Sequence, residues 1–383
     1  MLAAAHDLVD FSPALRLALL AVVVALLPLS WWWLRHGGVD RRARAAALTA
    51  LTMFLTFDLV VFGSFTRLTD SGLGCPDWPG CYGQASPFGA AGDIHAAETA
   101  LPSGPVTQTK AWIEMIHRYL AMTVGVLILV LAAAAWFDRR RGTASPVSPW
   151  WPTATLAWVV VQGLFGKYTV TLKLYPAIVT LHLLGGLLLL VLLAAQHVTF
   201  RPRPLAAAVP LRRLLALAAL LLLVQVTLGG WVSTNYAVLA CSDFPRCNGD
   251  LWPTMDFGAG FAVLRPLGKD SGGGFLAFEA LVAIHMAHRL FALAAVAALL
   301  ALSLGLWRAG GTTNRRFAAG IAALTLAQVA TGLSNIVLDW PIGAALLHAA
   351  GAAALVLLLA FLGMRMRQAL QPAVAPGPLT AAA

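Results

Sequence analysis

Five histidines are the residues of this chain whose type and placement could do chemistry. His117, His182, His285, His288 and His348 all fall inside long apolar stretches. Ionisable side chains are costly inside a membrane-spanning helix, so they mark functional sites there by default. An imidazole in such a place can ligate a metal, transfer a proton or satisfy a buried hydrogen bond.

Four of these histidines form two similar pairs. His117 and His182 each lie about 10 Å inside an apolar stretch, at the rise of an α-helix. Both predicted helices run in the same direction, so the two rings can face each other at one level, and His288 and His348 repeat the arrangement. Two opposed imidazoles inside a four-helix bundle are the ligands of a bis-histidine heme. Buried hydrogen bonding is the alternative.

The two copies differ three residues before the first histidine of each pair. Glu114 precedes His117, whereas His285 holds the corresponding place in the second copy. Residues at i and i+3 share a helix face, so Glu114 would stand beside the first heme and could transfer protons. The alternative is an ion pair between Glu114 and Arg118. This difference predicts that one half performs chemistry while the other holds a heme for support or electron delivery.

Arginine and glycine residues near the histidines extend the predicted heme sites. Arg118 and Arg289 each follow a histidine and are candidates to bind heme propionates, with lipid headgroups as the alternative. Gly185, Gly186 and Gly351 remove side-chain bulk where a porphyrin face would lie; close helix packing is their alternative role.

A zinc site at His285 and His288 is a weaker alternative to the heme, because no HExxH pattern accompanies them.

The four cysteines form two pairs with the same spacing. Cys75 and Cys81 bound the segment CPDWPGC, and Cys241 and Cys247 bound CSDFPRC. We predict that each pair closes a small disulfide ring in an oxidising compartment. A redox-active first pair and a four-thiolate metal site are the alternatives.

Composition places the chain among integral membrane proteins. It is 60% hydrophobic and only 11% charged over 383 residues. Nine stretches have the length needed to cross a hydrocarbon core of about 30 Å. They lie near residues 14–34, 45–64, 110–136, 150–168, 176–199, 212–232, 276–307, 317–336 and 342–364.

The arginines predict the orientation of these spans, because Lys and Arg in short loops are retained on the cytoplasmic side. Arg35, Arg41, Arg42 and Arg44 follow the first apolar run, so we interpret it as a retained helix rather than a cleaved signal peptide. The N-terminus is therefore expected outside and the C-terminus in the cytoplasm. The histidine pairs then lie toward the outer side of a bacterial inner membrane.

An internal repeat defines the predicted architecture. Corresponding residues recur at an offset of 166, and the pairs are Cys75 and Cys241, Cys81 and Cys247, Gln162 and Gln328, Gly166 and Gly332, His182 and His348, and Gly185 and Gly351. Each repeat has four helices, so both copies enter the membrane in the same sense. We predict an all-α polytopic protein of two pseudo-symmetric four-helix bundles plus one extra N-terminal transmembrane helix. The predicted units are residues 1–43 for the extra helix, 44–206 and 207–366 for the two bundles, and 367–383 for a disordered tail.

These motifs resemble those of a known family. The segment GSFTRLTDSGLGCPDWPGCYG, followed by EMIHR, LHLLGG and a degenerate second copy, is similar to the heme A synthase family over about residues 45–364. The resemblance implies oxidation of the C8 methyl group of heme O to the formyl group of heme A, the cofactor of terminal cytochrome oxidases. It also implies eight spans, so the first helix is an addition.

The resemblance further implies a role for each site residue. His117 and His182 would hold the substrate heme in the first bundle, and Glu114 would be the essential carboxylate. His288 and His348 would hold a resident heme b in the second bundle.

Two other functions use the same features. A quinol-linked di-heme b electron-transfer cytochrome shares the four histidines but gives no reason for Glu114 to occur in one half alone. A transporter built from parallel repeats is disfavoured because the spans carry few midplane charges. Expected partners are membrane lipid, heme O synthase (the farnesyltransferase) and an electron donor, because the chain has no flavin or nicotinamide fingerprint. The net charge of +10 follows the membrane topology, so no nucleic acid is expected.

Overall fold

The computed structural model describes residues 12–370, and every regular element in that range is a helix. The predicted all-α polytopic fold is thereby confirmed. The helices are α1 (Ser12–His36), α2 (Arg41–Leu68), α3 (Ala91–Ala100), α4 (Gln108–Arg140), α5 (Trp150–Thr171), α6 (Pro176–Phe200), α7 (Val209–Thr234), α8 (Phe257–Gly260), α9 (Phe278–Ala309), α10 (Thr312–Val337) and α11 (Ile342–Gln368). A 3₁₀ turn lies at Ala237–Leu239.

All nine predicted spans are long helices, but they are not equally apolar. Within residues 12–370, eight have the length and hydropathy to cross a membrane, and α5 is not among them. Its first turn contains Trp150, Trp151 and Pro152, and Gln162 and Lys167 further lower its mean hydropathy. With 22 residues it still extends about 33 Å, and it packs between α4 and α6. The less apolar helix α5 is therefore covered by neighbouring helices on two sides.

The long helices pack as two closed rings of four. In the first ring the neighbours are α2 with α4, α4 with α5, α5 with α6, and α6 with α2. In the second they are α7 with α9, α9 with α10, α10 with α11, and α11 with α7. Helices α4 and α6 are therefore diagonally opposed, as are α9 and α11. Helix α1 packs on the outside of the first ring, mainly against α4.

Local sequence explains where the helices next to the site begin. The Asp40 carboxylate caps α2 by accepting the Ala43 N–H at 2.8 Å, and the Thr107 hydroxyl caps α4 by accepting the Lys110 N–H at 3.2 Å. Pro176 stands in the first turn of α6, where no intrahelical N–H bond is lost. Threonines inside α2 return their hydroxyls to backbone carbonyls one turn earlier, which satisfies them away from water.

Two long connections lie at the same end of the rings. They join α2 to α4 and α7 to α9, and they contain α3, the 3₁₀ turn and α8. We call this the long-loop end and the opposite end the short-loop end. The division of the chain at residues 44, 207 and 367 stays a prediction, although Arg367 and Gln368 are helical and so do not belong to a disordered tail. Residues 371–383, the rest of the predicted tail, lie outside the described residues.

The seam between the rings joins α2 and α6 to α11 and α7. At its long-loop end Arg67 Nη2 donates to the Ser233 carbonyl at 2.6 Å and its guanidinium stacks on the Tyr236 ring at 3.8 Å. The Tyr236 hydroxyl donates to Asp70 at 2.5 Å. Ser233 and Tyr236 are the repeat equivalents of Arg67 and Asp70, so these contacts lie on the pseudo-twofold axis. Burial raises the pKa of Tyr236 above its ordinary value.

Arg67→Met should destabilise the seam more than Lys110→Met does. The first change removes a charged hydrogen bond and a cation–π contact, together worth about 2 kcal/mol. Lys110 makes only a 3.6 Å ion pair with the exposed Asp70, a contact worth less than about 1 kcal/mol. Thermal unfolding of the purified proteins in one detergent tests this. Equal Tm values for the two variants would contradict the assigned role of Arg67.

Candidate active site

The first histidine pair lies on diagonally opposed helices of the first ring. His117 is on α4 and His182 on α6, about 14 Å and 9 Å from the helix starts. The other two helices of this four-helix ring place glycines next to the two imidazoles. A Cβ on Gly63 of α2 would lie 3.0 Å from His117 Nε2, and one on Gly166 of α5 would lie 3.6 Å from His182 Cε1. Phe62 stacks on His117 with ring centroids 6.4 Å apart.

The second ring repeats this geometry. His288 is on α9 and His348 on α11, again diagonally opposed. A Cβ on Gly229 of α7 would lie 3.0 Å from His288 Cε1, and one on Gly332 of α10 would lie 3.2 Å from His348 Cε1. The four glycines were not all predicted from the sequence. Their recurrence at an offset of 166, as Gly63 with Gly229 and Gly166 with Gly332, is the signal that could have found them.

The arrangement fits a heme in each ring. Two imidazoles stand on opposite helices, and each of the two intervening helices has a glycine where it comes closest to an imidazole. His182 Nδ1 is buried without a hydrogen-bond partner in the described structure. A buried ring nitrogen without a partner is costly in an apolar bundle. The ligand roles of His117, His182, His288 and His348 remain predictions that this geometry favours.

The alternative metal sites find no support within residues 12–370. No cluster of three or more His, Cys, Asp or Glu side chains that could hold a metal ion occurs there. His285 Nδ1 lies 2.8 Å from the Ala237 carbonyl, so its ring is fixed by the backbone. All four cysteines are oxidised in pairs, Cys75 with Cys81 and Cys241 with Cys247, as predicted. A four-thiolate site is therefore incompatible with this structure.

Glu114 lies at the junction of α4 and the first disulfide ring. The residue is 4% exposed. One carboxylate oxygen accepts the Cys75 N–H at 2.8 Å, and the other pairs with Arg118 Nη2. The ion pair with Arg118 was the alternative noted from the sequence, and the structure contains it. A proton-transfer role for Glu114 remains a prediction. It is favoured because the carboxylate shares a helix face with His117.

Arg118 and Arg289 both reach into the disulfide loops. Arg118 Nη1 donates to the carbonyls of Asp77 and Gly80 at 2.9 and 2.6 Å, and Arg289 Nη1 donates to those of Asp243 and Arg246 at 3.0 and 2.9 Å. The other guanidinium nitrogens of the two arginines differ in their partners. Glu114 takes Nη2 of Arg118, whereas Nε and Nη2 of Arg289 are buried without a partner in the described structure. The propionate role of both arginines remains a prediction, and Arg289 has the free donors for it.

The glycines predicted to face a porphyrin have other neighbours. A Cβ on Gly185 would overlap the Gln162 amide, and one on Gly351 would overlap the Gln328 amide. These glycines therefore make room for a glutamine of the adjacent helix rather than for a porphyrin face. Both Gln162 amide atoms are buried without a partner in the described structure. Gln162 and Gln328 recur at the repeat offset of 166, and a recurring glutamine in an apolar span is a signal of a polar function that could have identified them.

The two rings also differ in what holds their histidines. In the second ring the Thr331 hydroxyl lies 3.0 Å from His348 Nδ1 and the Gln225 amide lies 3.1 Å from His288 Nδ1. The repeat equivalents of these residues in the first ring are Phe165 and Leu59, which cannot hydrogen-bond. The Thr331 hydroxyl can accept the Nδ1 proton and so orient His348 for ligation through Nε2, whereas the Gln225 amide nitrogen donates and fixes the position of the His288 imidazole. Such partners are present for the second pair of histidines and missing for the first.

Comparisons with known proteins agree with this architecture. The chain matches the family model described as COX15-CtaA, cytochrome oxidase assembly protein, over residues 46–360. A protein of Shewanella oneidensis named heme A synthase is 36% identical over 316 residues, covering 82% of this chain and 93% of the relative. One of Methylorubrum extorquens with the same name is 30% identical over 354 residues, covering 85% and 87%. One of Mesorhizobium japonicum is 27% identical over 338 residues, covering 81% and 88%.

Fold and site together define a multi-pass helical membrane protein with a histidine pair inside each of two four-helix rings. The chain belongs to the COX15-CtaA family of cytochrome oxidase assembly proteins. The family resemblance inferred from the sequence motifs is confirmed.

Gly63→Ala should reduce heme binding in the first ring while Gly163→Ala leaves it unchanged. The added methyl at residue 63 would lie 3.0 Å from His117 Nε2, so the ring must move. At residue 163, on α5, the methyl would meet nothing within 4 Å. Heme content per protein, measured as the pyridine complex of extracted heme, tests this. Unchanged heme content in Gly63→Ala would contradict a heme at His117.

Proposed function

We propose that this protein is an enzyme that oxidises the C8 methyl group of heme O to the formyl group of heme A, for use in terminal cytochrome oxidase. One observation carries the proposal: the chain that places a histidine pair in each ring is 36% identical to a heme A synthase over 82% of its length. Heme O is then the substrate and heme A the product.

The differences between the rings support a division of labour. We assign the substrate to His117 and His182, because that pair lacks polar partners at Nδ1 and a substrate must be exchanged after each turnover. We assign a resident heme b to His288 and His348, whose rings are held by Gln225 and Thr331. When bound there, heme b would supply one-electron transfer. An electron-transfer partner outside the chain is expected, and heme O synthase is a candidate partner that supplies the substrate.

Glu114 is the residue we assign to proton transfer. Conversion of a methyl to a formyl group by two hydroxylations passes through an alcohol and a geminal diol, which loses water. With water as the source of oxygen, each hydroxylation releases two protons and two electrons; the electrons pass to the external electron-transfer partner, and Glu114 lies on the helix face of His117 to accept the protons. The Arg118 guanidinium stabilises the ionised carboxylate, and the Cys75 N–H fixes its position at 2.8 Å. Carboxylate placement thus depends on the first disulfide loop.

We also infer the sidedness of the site. Both disulfide loops lie at the long-loop end, and disulfides persist in oxidising compartments. Most arginines flank the short-loop end, which favours the cytoplasmic side for that end. In a bacterial inner membrane the histidine pairs would then lie toward the outer face, with the N-terminus outside and the C-terminus in the cytoplasm.

Glu114→Gln should cause heme O or its alcohol to accumulate in place of heme A. Glutamine keeps the size of the side chain and can still accept the Cys75 N–H, but it cannot take up a proton as a carboxylate does. Glu279→Gln is the matched control, because Glu279 is an exposed carboxylate in the first turn of the corresponding helix α9. Chromatography of hemes extracted from cells that also make heme O synthase provides the measurement.

Normal heme A yield from Glu114→Gln would remove the proposed role of Glu114. Extracts of the wild-type protein that contain heme b alone would instead favour a quinol-linked di-heme electron-transfer cytochrome.

Thr331→Val should weaken heme binding by the second ring about tenfold, because outer partners of a ligating histidine contribute on that order to affinity. Thr227→Val is the control: Thr227 lies in the same ring and bonds only to the Leu223 carbonyl at 2.8 Å. Heme retained per protein during gel filtration, together with the reduced-minus-oxidised spectrum, reports the change. Equal retention by the two variants would argue against a resident heme at His348.

A further inference from the structure

A cavity of about 360 Å³ lies at the short-loop end of the seam. Its walls come from the start of α2, the ends of α6 and α11, and the segment that links the two halves. It is remote from the candidate active site: His182 and His197, on the same helix α6, are about 22 Å apart along the axis. The heme chemistry proposed above does not use this cavity.

The polar part of the cavity is cationic. Arg201, Arg203 and Arg365 line it together with His197, and no Asp or Glu does. None of the three arginines forms an ion pair in the described structure. A neighbouring cavity of about 320 Å³ shares Arg201 and Arg203.

The neighbouring cavity is also lined by one acidic residue and one further arginine, and both already have hydrogen-bond partners within the chain. Asp40 lines it, and its carboxylate caps α2 through the Ala43 N–H. Arg42 also lines it and donates Nε to the Phe200 carbonyl at 2.8 Å. Three arginines gathered without a carboxylate repel one another unless an anion lies among them. The cavity is therefore built for an anionic group from outside the chain.

The rest of the cavity wall is apolar. It consists of Ala46, Ala47 and Ala50 of α2, Phe361 of α11 and Val198 of α6. Ala50 lies nine residues into α2, about 14 Å along the helix from its start. The apolar wall thus extends from the arginines toward the interior of the membrane. A ligand that fits both walls has a charged head and a hydrocarbon tail.

Aromatic residues place this end of the molecule at a membrane surface. Tryptophans are enriched where the hydrocarbon core meets the headgroups. Those at helix ends on the short-loop side are Trp31, Trp32, Trp33, Trp136, Trp150, Trp151 and Trp307. The arginines of the cavity lie at the corresponding ends of α6 and α11, at headgroup level. Basic pockets between transmembrane helices at this level bind phosphate headgroups of lipids.

We propose that this cavity is a binding site for an anionic phospholipid. The phosphodiester lies among Arg201, Arg203 and Arg365, and an acyl chain runs along Ala47, Ala50 and Phe361. Because the walls come from both halves of the chain, the lipid bridges the seam at the end opposite to the Arg67 contacts.

The test uses full-length protein purified in an uncharged detergent. Dioleoyl phosphatidylglycerol and dioleoyl phosphatidylcholine are titrated separately, and native mass spectrometry measures the lipid-bound fraction. Wild-type protein should bind phosphatidylglycerol at least about tenfold more tightly, as expected for several nearby arginines. Arg203→Gln with Arg365→Gln should abolish this preference. Arg308→Gln with Arg316→Gln removes the same charge from the same end outside the cavity and should preserve it.

A single-residue variant and a displacement measurement complete the test. Arg203 is exposed in the linking segment, so Arg203→Gln alone leaves α11 intact and should still weaken phosphatidylglycerol binding. Inorganic phosphate and glycerol 3-phosphate, which lack acyl chains, should not displace the lipid at equal concentration. Displacement by either would assign the cavity to a free anion and overturn the proposal. Equal losses in the cavity variant and the control variant, or no preference in the wild type, would overturn it as well.

Discussion

The structure depends on leaving room for imidazoles inside apolar rings of four helices. Each ring of four helices meets this constraint with the same device, a histidine on two opposed helices and a glycine on the other two. A methyl on Gly63, Gly229 or Gly332 would come within 3.0 to 3.2 Å of a histidine. Polar atoms in hydrocarbon must find a partner, and a heme iron is the partner proposed for these imidazoles.

Duplication of one unit explains why the two sites share a geometry, and three substitutions explain why their roles can differ. Glu114 of the first half corresponds to His285 in the second, so the first site alone has a buried carboxylate. The second site instead has Gln225 and Thr331 beside its histidines. These differences fit the proposed roles, which are proton transfer at the first site and a fixed imidazole orientation at the second. The helix rings themselves did not have to change.

Periodicity and repetition in the sequence predicted the large features. Nine apolar runs gave nine helices, and equal cysteine spacing gave two disulfides, because both patterns reflect local rules. Contacts between elements were harder to foresee. The sequence placed Arg118 beside a heme, but its guanidinium is long enough to reach the Gly80 carbonyl at 2.6 Å. Gly185 was expected to leave space for a porphyrin, yet Gln162 from the neighbouring helix fills that space, which only the packed structure reveals.

The seam is closely packed in a way that matters for the proposed two-heme arrangement. Its centre is apolar, with Leu187 of α6, Leu222 of α7 and Leu355 of α11 in one buried cluster. At the long-loop end Arg67 crosses the axis to Ser233. Close-packed apolar interiors do not deform continuously, so the two histidine pairs are held at a fixed separation. On the proposed assignment, electron delivery between the halves would depend on this fixed geometry, whereas substrate exchange would occur within the first ring, where the histidines lack polar partners at Nδ1.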